Sequence, residues 1–374
     1  MRSVTILRAL VVSGALALGL GLGLAGCSFP PSPHPTSVGT HHATAIPTAT
    51  PAALSAPRSA IPAGCARLLP TATAVGAFPA ASGIAVRVSE TSAPDGLIEV
   101  SAKQAGGLHC VWGGTNRTDN GYDDMITLDV LTDAADAFHS NVVPNTGDEV
   151  NTFGTASDLF CQGDPQFGCY GQVLVGTTWF ELDYVSLGGE GEPASGAIGR
   201  FHTLLTGVVT AIQGAGPSRS LWTPPAAWDG ASLCADDELA RARTATGAAD
   251  LQDGDFSIEG PLTASSAALA RVTIQSCGWA RDASSGVTSF GVQFVQGGAW
   301  AVTQELADPP SYYNGTLAPV TIPGATSALA VCNDAICEAD LAVAGSWMSV
   351  QVDGLDSVAA LVHDISALLA ATPH

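Results

Sequence analysis

Two acidic stretches of the 374-residue chain carry the side chains of a hard-cation site. The segment TNRTDNGYDD brings Asp119, Asp123 and Asp124 around Asn120 and Gly121, and DLQDGDFSIE supplies Asp253, Asp255 and Glu259. Calcium needs several oxygens at set positions, and neither stretch completes the EF-hand spacing with its terminal glutamate. Solvated hairpin turns are the expectation and weak calcium sites the alternative; no other metal and no cofactor is expected. Serine, histidine and aspartate all occur, but the chain has no G-x-S-x-G elbow, HExxH helix, Walker loop or dinucleotide fingerprint to activate or orient them. No catalytic residue is assigned. His109 alternates with Cys110 and Trp112 and is expected at a strand surface.

Eight cysteines beyond Cys27 form the other reactive set: Cys65, Cys110, Cys161, Cys169, Cys234, Cys277, Cys332 and Cys337. Their even number and the lack of CxxC or finger-like histidine spacing favour disulfides over zinc. The last four follow the first four at offsets of 169, 167, 171 and 168. Trp279 follows Trp112 by 167 and Trp347 follows Trp179 by 168. A shared offset across six landmarks implies a duplicated domain. Four cysteines per copy allow three pairings. The expected set is Cys65 with Cys110 and Cys161 with Cys169, repeated as Cys234 with Cys277 and Cys332 with Cys337.

The elements that must position these groups follow from periodicity. IAVRVSE, LIEVSA, LHCVW, MITLDVLT and TWFELDYV are expected strands of the first copy, with a helix over DAADAFHSN. The second copy answers with FGVQFVQ and SWMSVQV as strands and AWAVTQELA as a helix. Each copy closes with a one-sided helix: Phe201, Leu204, Leu205, Val208, Val209 and Ile212 make one stripe. Val358, Leu361, Val362, Ile365, Leu368 and Leu369 make the other, with Ser357 as its cap. The expected fold class is α+β: two tandem, disulfide-stapled copies of an antiparallel sheet covered by N- and C-terminal helices. The other face of each sheet is left open or meets a neighbour.

The N-terminus has a different logic. Arg2 and Arg8 precede an apolar run, Ala9 to Leu24, that ends in Leu24-Ala25-Gly26-Cys27. This tetrapeptide resembles the lipobox of bacterial lipoproteins, which implies lipid on Cys27 and cleavage before it. Residues 28–62 are rich in Pro, Ser, Thr and Ala without apolar periodicity and read as a tether. The expected organisation is a signal peptide over 1–26, the lipidated cysteine and tether over 27–62, a first copy over 63–214, a linker over 215–229 and a second copy over 230–374.

A formal charge of −21, with 34 acidic against 13 basic side chains, removes the phosphate attraction on which nucleic-acid binding depends. The opening Cys65-Ala-Arg-Leu-Leu and the Cys110-Val-Trp112 strand resemble those of secreted actinobacterial lipoproteins. These are in turn loosely similar to the extracellular sensor modules of bacterial receptor kinases. The resemblance implies an envelope role at the outer face of the cytoplasmic membrane and carries no catalytic residue. Trp222 and Trp228 in the linker, with Trp300, mark the junction of the copies as the candidate binding surface. The expected function is a noncatalytic, lipid-anchored sensor or binding module. Its partners would be the membrane, through Cys27, and an envelope protein, polymer or small ligand. An extracellular hydrolase with residues converging only in space, or a purely structural protein, are the alternatives.

Overall fold

The computed structural model describes residues 55–78, 87–90, 96–113, 125–141, 149–150, 152–162, 167–186, 194–235, 237–254, 263–280, 287–309, 311–312, 315–333 and 336–374. The first copy runs α1 (Cys65–Leu68), α2 (Thr71–Ala77), β1 (Arg87–Glu90), α3 (Gly96–Gln104), β2 (Leu108–Gly113), β3 (Met125–Leu131) and α4 (Ala135–Asn141). It continues through β4 (Glu149–Val150), β5 (Ala156–Gln162), β6 (Phe167–Val175), β7 (Thr178–Ser186) and α5 (Ala194–Gln213). The second runs α6 (Glu238–Thr246), β8 (Gln252–Asp253), α7 (Ala264–Leu269), β9 (Ile274–Ala280), β10 (Ser289–Val295) and α8 (Trp300–Ala307). A small hairpin of β11 (Ser311–Tyr312) and β12 (Gly315–Thr316) follows, then β13 (Ala318–Pro319), β14 (Ser327–Asn333), β15 (Ile336–Val343), β16 (Ser346–Asp353) and α9 (Val358–Ala371).

Among the described residues these strands make two seven-stranded sheets. The first has the order β1-β2-β3-β7-β6-β5-β4, and the second, read in the same sense, β8-β9-β10-β16-β15-β14-β13. The orders are the same, and so are the registers. Trp112 stands opposite Ile126 as Trp279 stands opposite Phe290, and Trp179 opposite Leu131 as Trp347 opposite Val295. The duplication read from cysteine spacing is a duplication of topology.

On one face of each sheet lies its own closing helix. Phe201, Leu204, Leu205 and Val208 of α5 pack on Leu128, Phe180 and Leu182, while Leu361, Ile365 and Leu368 of α9 pack on Val292, Leu341 and Val350. Ser357 caps α9 by accepting from the Ala360 amide at 3.4 Å. The disulfides Cys65–Cys110 and Cys234–Cys277 tie the start of each copy to its second sheet strand. Cys161–Cys169 and Cys332–Cys337 cross between neighbouring strands. All four expected pairings are formed.

Two expectations are corrected. LIEVSA is helix α3, not a strand: its buried residues Leu97, Val100, Ser101 and Gln104 recur at helical spacing. The tether, drawn to residue 62, ends sooner, because Pro57, Ala60 and Ile61 are buried and the Ala60 amide donates to the Gly106 carbonyl at 2.8 Å.

The second face of each sheet is closed by the other copy. Leu97 and Val100 of α3 enter a cluster with Val295, Trp300 and Trp347 of the second copy. Reciprocally, Ala264 and Ala268 of α7 enter a cluster with Leu131, Phe138 and Trp179 of the first. Polar contacts repeat the exchange: Gln104 Nε2 donates to the Gln296 carbonyl at 2.7 Å, and Arg271 Nη1 donates to the Thr132 carbonyl at 2.7 Å. This is the reciprocal pattern of an isologous dimer within one chain. Residues 52–374 accordingly form a single unit rather than two.

Candidate functional site

The exchange brings polar groups together on the first sheet beyond the Trp179 cluster. His109 on β2 stands opposite Asp129 on β3, Asp129 opposite Glu181 on β7, and Glu181 opposite Gln172 on β6. Strand alternation sends this row to the face away from α5. Helix α7 of the second copy covers part of it. Ser265 donates to Asp129 Oδ1 at 2.6 Å, and the Ala264 amide donates to Glu181 Oε2 at 3.2 Å. His109 Nδ1 holds the same Asp129 oxygen at 2.7 Å, and its Nε2 lies 3.5 Å from Glu99 Oε1 on α3.

The turn that presents His109 depends on two glycines. Gly106 has φ +81°, where other residues are strained, and a Cβ on Gly107 would stand 2.8 Å from the Ala102 carbonyl oxygen. The Gly107 amide instead donates to that carbonyl at 2.7 Å, folding β2 back under α3.

Burial and like charges set the protonation of the row. Burial by itself lowers the His109 pKa, but the hydrogen bond and charge of Asp129, with Glu99 and Glu181, carry it up to about 9. Burial, then the charges of Asp183 and Asp129, push Glu181 up to about 8. Asp183, also buried and facing Asp129, is pushed up to about 6. At neutral pH the imidazole is therefore a cation and Glu181 holds a proton.

Ser265, His109 and Asp129 converge, yet not as a nucleophile–base–orienter chain. Activation requires the serine hydroxyl on the imidazole. Here both the hydroxyl and the imidazole spend themselves on Asp129, and the second ring nitrogen faces a carboxylate. The arrangement suits holding charge and joining the copies.

His109 and Glu99 also line a cavity of about 400 Å³ between α3, the start of β2, the segment before α1 and the linker. Arg58, Lys103 and Arg219 complete its charged lining, with Ile61, Pro62 and Leu108 among its apolar walls. Arg219 is drawn there by its backbone, whose amide donates to the Ala60 carbonyl at 2.7 Å. Lys103 donates to Gln304 Oε1 of the second copy at 2.8 Å and lies 5.5 Å from the Trp300 ring centroid.

The junctional tryptophans separate into three situations. Trp222 is half-buried against the shared cluster of Leu97, Val100 and Trp347, and lines a small cleft of about 140 Å³ with Gln104 and Arg271. Trp228 packs within the second copy, its ring 5.2 Å from Phe294 and 5.5 Å from His374. Trp300 is fully buried and so is core of the junction rather than surface. Of the calcium candidates, Asp253 lies exposed on β8, whereas Asp119, Asp123, Asp124, Asp255 and Glu259 lie outside the described residues, as does Cys27. Among the described residues no three His, Cys, Asp or Glu side chains are grouped to hold a metal ion.

Sequence reasoning missed this site because its parts come from both copies. The one available signal was a departure between repeats. The second copy has Ser276, Gln293 and Ser349 in register where the first has His109, Asp129 and Glu181.

No family model and no curated protein matches the chain. A solved structure of DynU16, a protein from the dynemicin biosynthetic locus, aligns over 76% of this chain and 96% of its own at 12% identity with a TM-score of 0.11, too low to carry an argument. Among the described residues no helix is long and apolar enough to cross a membrane.

Proposed function

We propose that the chain is a lipid-anchored envelope protein acting as a noncatalytic binding or sensor module for a small ligand, with the first copy carrying the site. The observation that supports this reading is the asymmetry between the repeats. The fold tolerates Ser276, Gln293 and Ser349 in the second sheet, so His109, Asp129 and Glu181 are not demanded by the architecture. Buried charge costs stability unless it is paired, and here it stands beside a cavity of the size small ligands occupy, about 400 Å³. Helix α3 links that cavity to the second copy through Lys103, Gln104 and Val100, which provides a route from an occupied pocket to the arrangement of the copies.

Two experiments test the reading. Replacing Cys27 with Ala should release the protein from cells into the medium; retention at the membrane would contradict the anchor. A thermal-shift screen of small molecules against the released chain should yield ligands whose effect is lost on filling the cavity with Ala102→Trp. Ligands insensitive to that change would place binding elsewhere.

A further inference from the structure

We infer that the cavity beside α3 takes a small organic anion, a molecule with a carboxylate or phosphate group on an apolar body. This inference rests on the small-ligand reading above and narrows it.

The charge of the lining departs from that of the chain. The sequence holds 34 acidic and 13 basic side chains, and Lys103 is its single lysine. Around this cavity Arg58, Lys103 and Arg219 stand with His109 against one carboxylate, Glu99. That carboxylate already faces His109 Nε2 at 3.5 Å, which leaves the arginines to set the field at the mouth. A concave wall of one sign concentrates ligands of the other.

The cations come from three separate places in the chain: the segment before α1, helix α3 with β2, and the linker. Backbone bonds assemble them. The Ala60 amide binds the Gly106 carbonyl at 2.8 Å, and the Arg219 amide binds the Ala60 carbonyl at 2.7 Å, so Arg58 and Arg219 flank the turn leading into His109. Arg58 and Arg219 are exposed, and an exposed pair of like charges gains nothing for the fold by this placement. The second copy does not repeat the device: Ser276 stands in register at the His109 position, and Ala270, which follows α7, is the counterpart of Lys103 at the repeat offset of 167. Ile61, Pro62 and Leu108 supply a wall for the apolar part of the ligand.

Calorimetry on the full chain in detergent, with phenyl phosphate, benzoate, benzyl alcohol and benzylamine as probes, separates the possibilities. Phenyl phosphate and benzoate should bind, more weakly in high salt. Affinity should fall about tenfold in the Arg58→Gln, Arg219→Gln double variant, the loss expected for two exposed charge contacts. Both positions are exposed, so the variant's melting temperature should match the parent's. Inorganic phosphate should bind more weakly than phenyl phosphate if the apolar wall contributes. Benzyl alcohol or benzylamine binding as tightly as the anions, or anion binding unchanged in the double variant, would overturn the inference while leaving a ligand pocket in place. Failure of all four probes at millimolar concentration would remove the pocket reading as well.

Discussion

Ser265 of the second copy and His109 of the first are held by the same oxygen, Asp129 Oδ1, at 2.6 and 2.7 Å. A single carboxylate thus joins the exchanged helix α7 to the strand that borders the ligand cavity. Its two charge-assisted bonds are stronger than neutral ones, and its removal would strand a half-buried imidazolium. Asp129→Asn should lower the His109 pKa from about 9 toward its ordinary value, visible as an upfield-shifted titration in the imidazole NMR spectrum. It should also cost about 2–3 kcal/mol of stability. Ser265→Ala, which leaves the ion pair intact, should cost only about 1 kcal/mol. Equal losses in the two variants would show that the ion pair contributes nothing beyond the serine bond.

The same row gives stability a direction with pH. Glu181 is raised from its ordinary range to about 8, and Asp183 to about 6, so the folded chain holds protons that the unfolded chain releases. For such groups stability is fully present below the unfolded pKa and is lost as pH rises through the folded one. His109, raised to about 9, acts in the same sense, with its contribution present below an unfolded value of 6.5. Melting temperature should therefore fall between pH 5 and pH 9. Glu181→Gln keeps a neutral group against the Ala264 amide and should flatten the part of that slope between about pH 4.5 and 8. An unaltered profile would show that Glu181 does not hold the extra proton.

Separated copies should not remain monomeric. Each half would expose the cluster its partner helix now covers, including Trp179 and Phe138 in the first copy and Trp300 and Trp347 in the second. Reciprocal faces of this kind pair with themselves when the natural partner is absent. The first copy alone, residues 55–214, should elute as a dimer in size-exclusion chromatography with light scattering. A well-folded monomer would mean that the shared clusters are dispensable.

How far the sequence carried this description depended on the range of the interactions. The cysteines and tryptophans kept a common offset, and Cys110 with Trp112 alternated on one strand, so the repeat, the disulfides and the sheet strands were legible. The stripes of α5 and α9 were legible for the same reason, since each is satisfied within its own copy. Helix α3 was not. Its Val100 and Ile98 resemble a strand's residues in a short window, and its true partners, Val295, Trp300 and Trp347, lie nearly two hundred residues away. Once α3 is misread, His109 looks like a solvated strand residue, because the face it occupies is covered only by elements from the exchange. Alternation placed His109 opposite Cys110 and Trp112; it could not reveal that Asp129 and Ser265 would meet there.

The disulfides should differ in value according to the chain each closes. Cys65–Cys110 spans 45 residues and Cys161–Cys169 spans 8. On the loop-entropy account, losing the first should cost about 4 kcal/mol and the second about 2.5 kcal/mol. Paired Cys→Ala variants compared by urea unfolding measure both. A larger loss for the short loop would mean that the β5–β6 contact, and not chain entropy, dominates.

The two linker tryptophans should behave differently, although six residues separate them. Trp222 packs against a cluster drawn from both copies, including Leu97 and Val100 of α3 and Trp347 of the second sheet. Trp228 meets Phe294 and His374, both in the second copy, and its carbonyl accepts from Ser346 Oγ at 2.7 Å. Truncating a buried ring to alanine costs about 3–5 kcal/mol, and less at a half-buried site. Both variants should therefore melt at lower temperature, but only Trp222→Ala removes apolar contact between the copies. Hydrogen exchange should quicken along α3 and α7 in Trp222→Ala, while Trp228→Ala should quicken exchange in β10 and at the end of α9 and leave α3 protected. Because Lys103 and Glu99 of α3 line the cavity, Trp222→Ala should also weaken phenyl phosphate binding without touching a lining residue. Faster exchange of α3 in Trp228→Ala, or unchanged exchange in both variants, would mean that the linker does not fix the helix through Trp222.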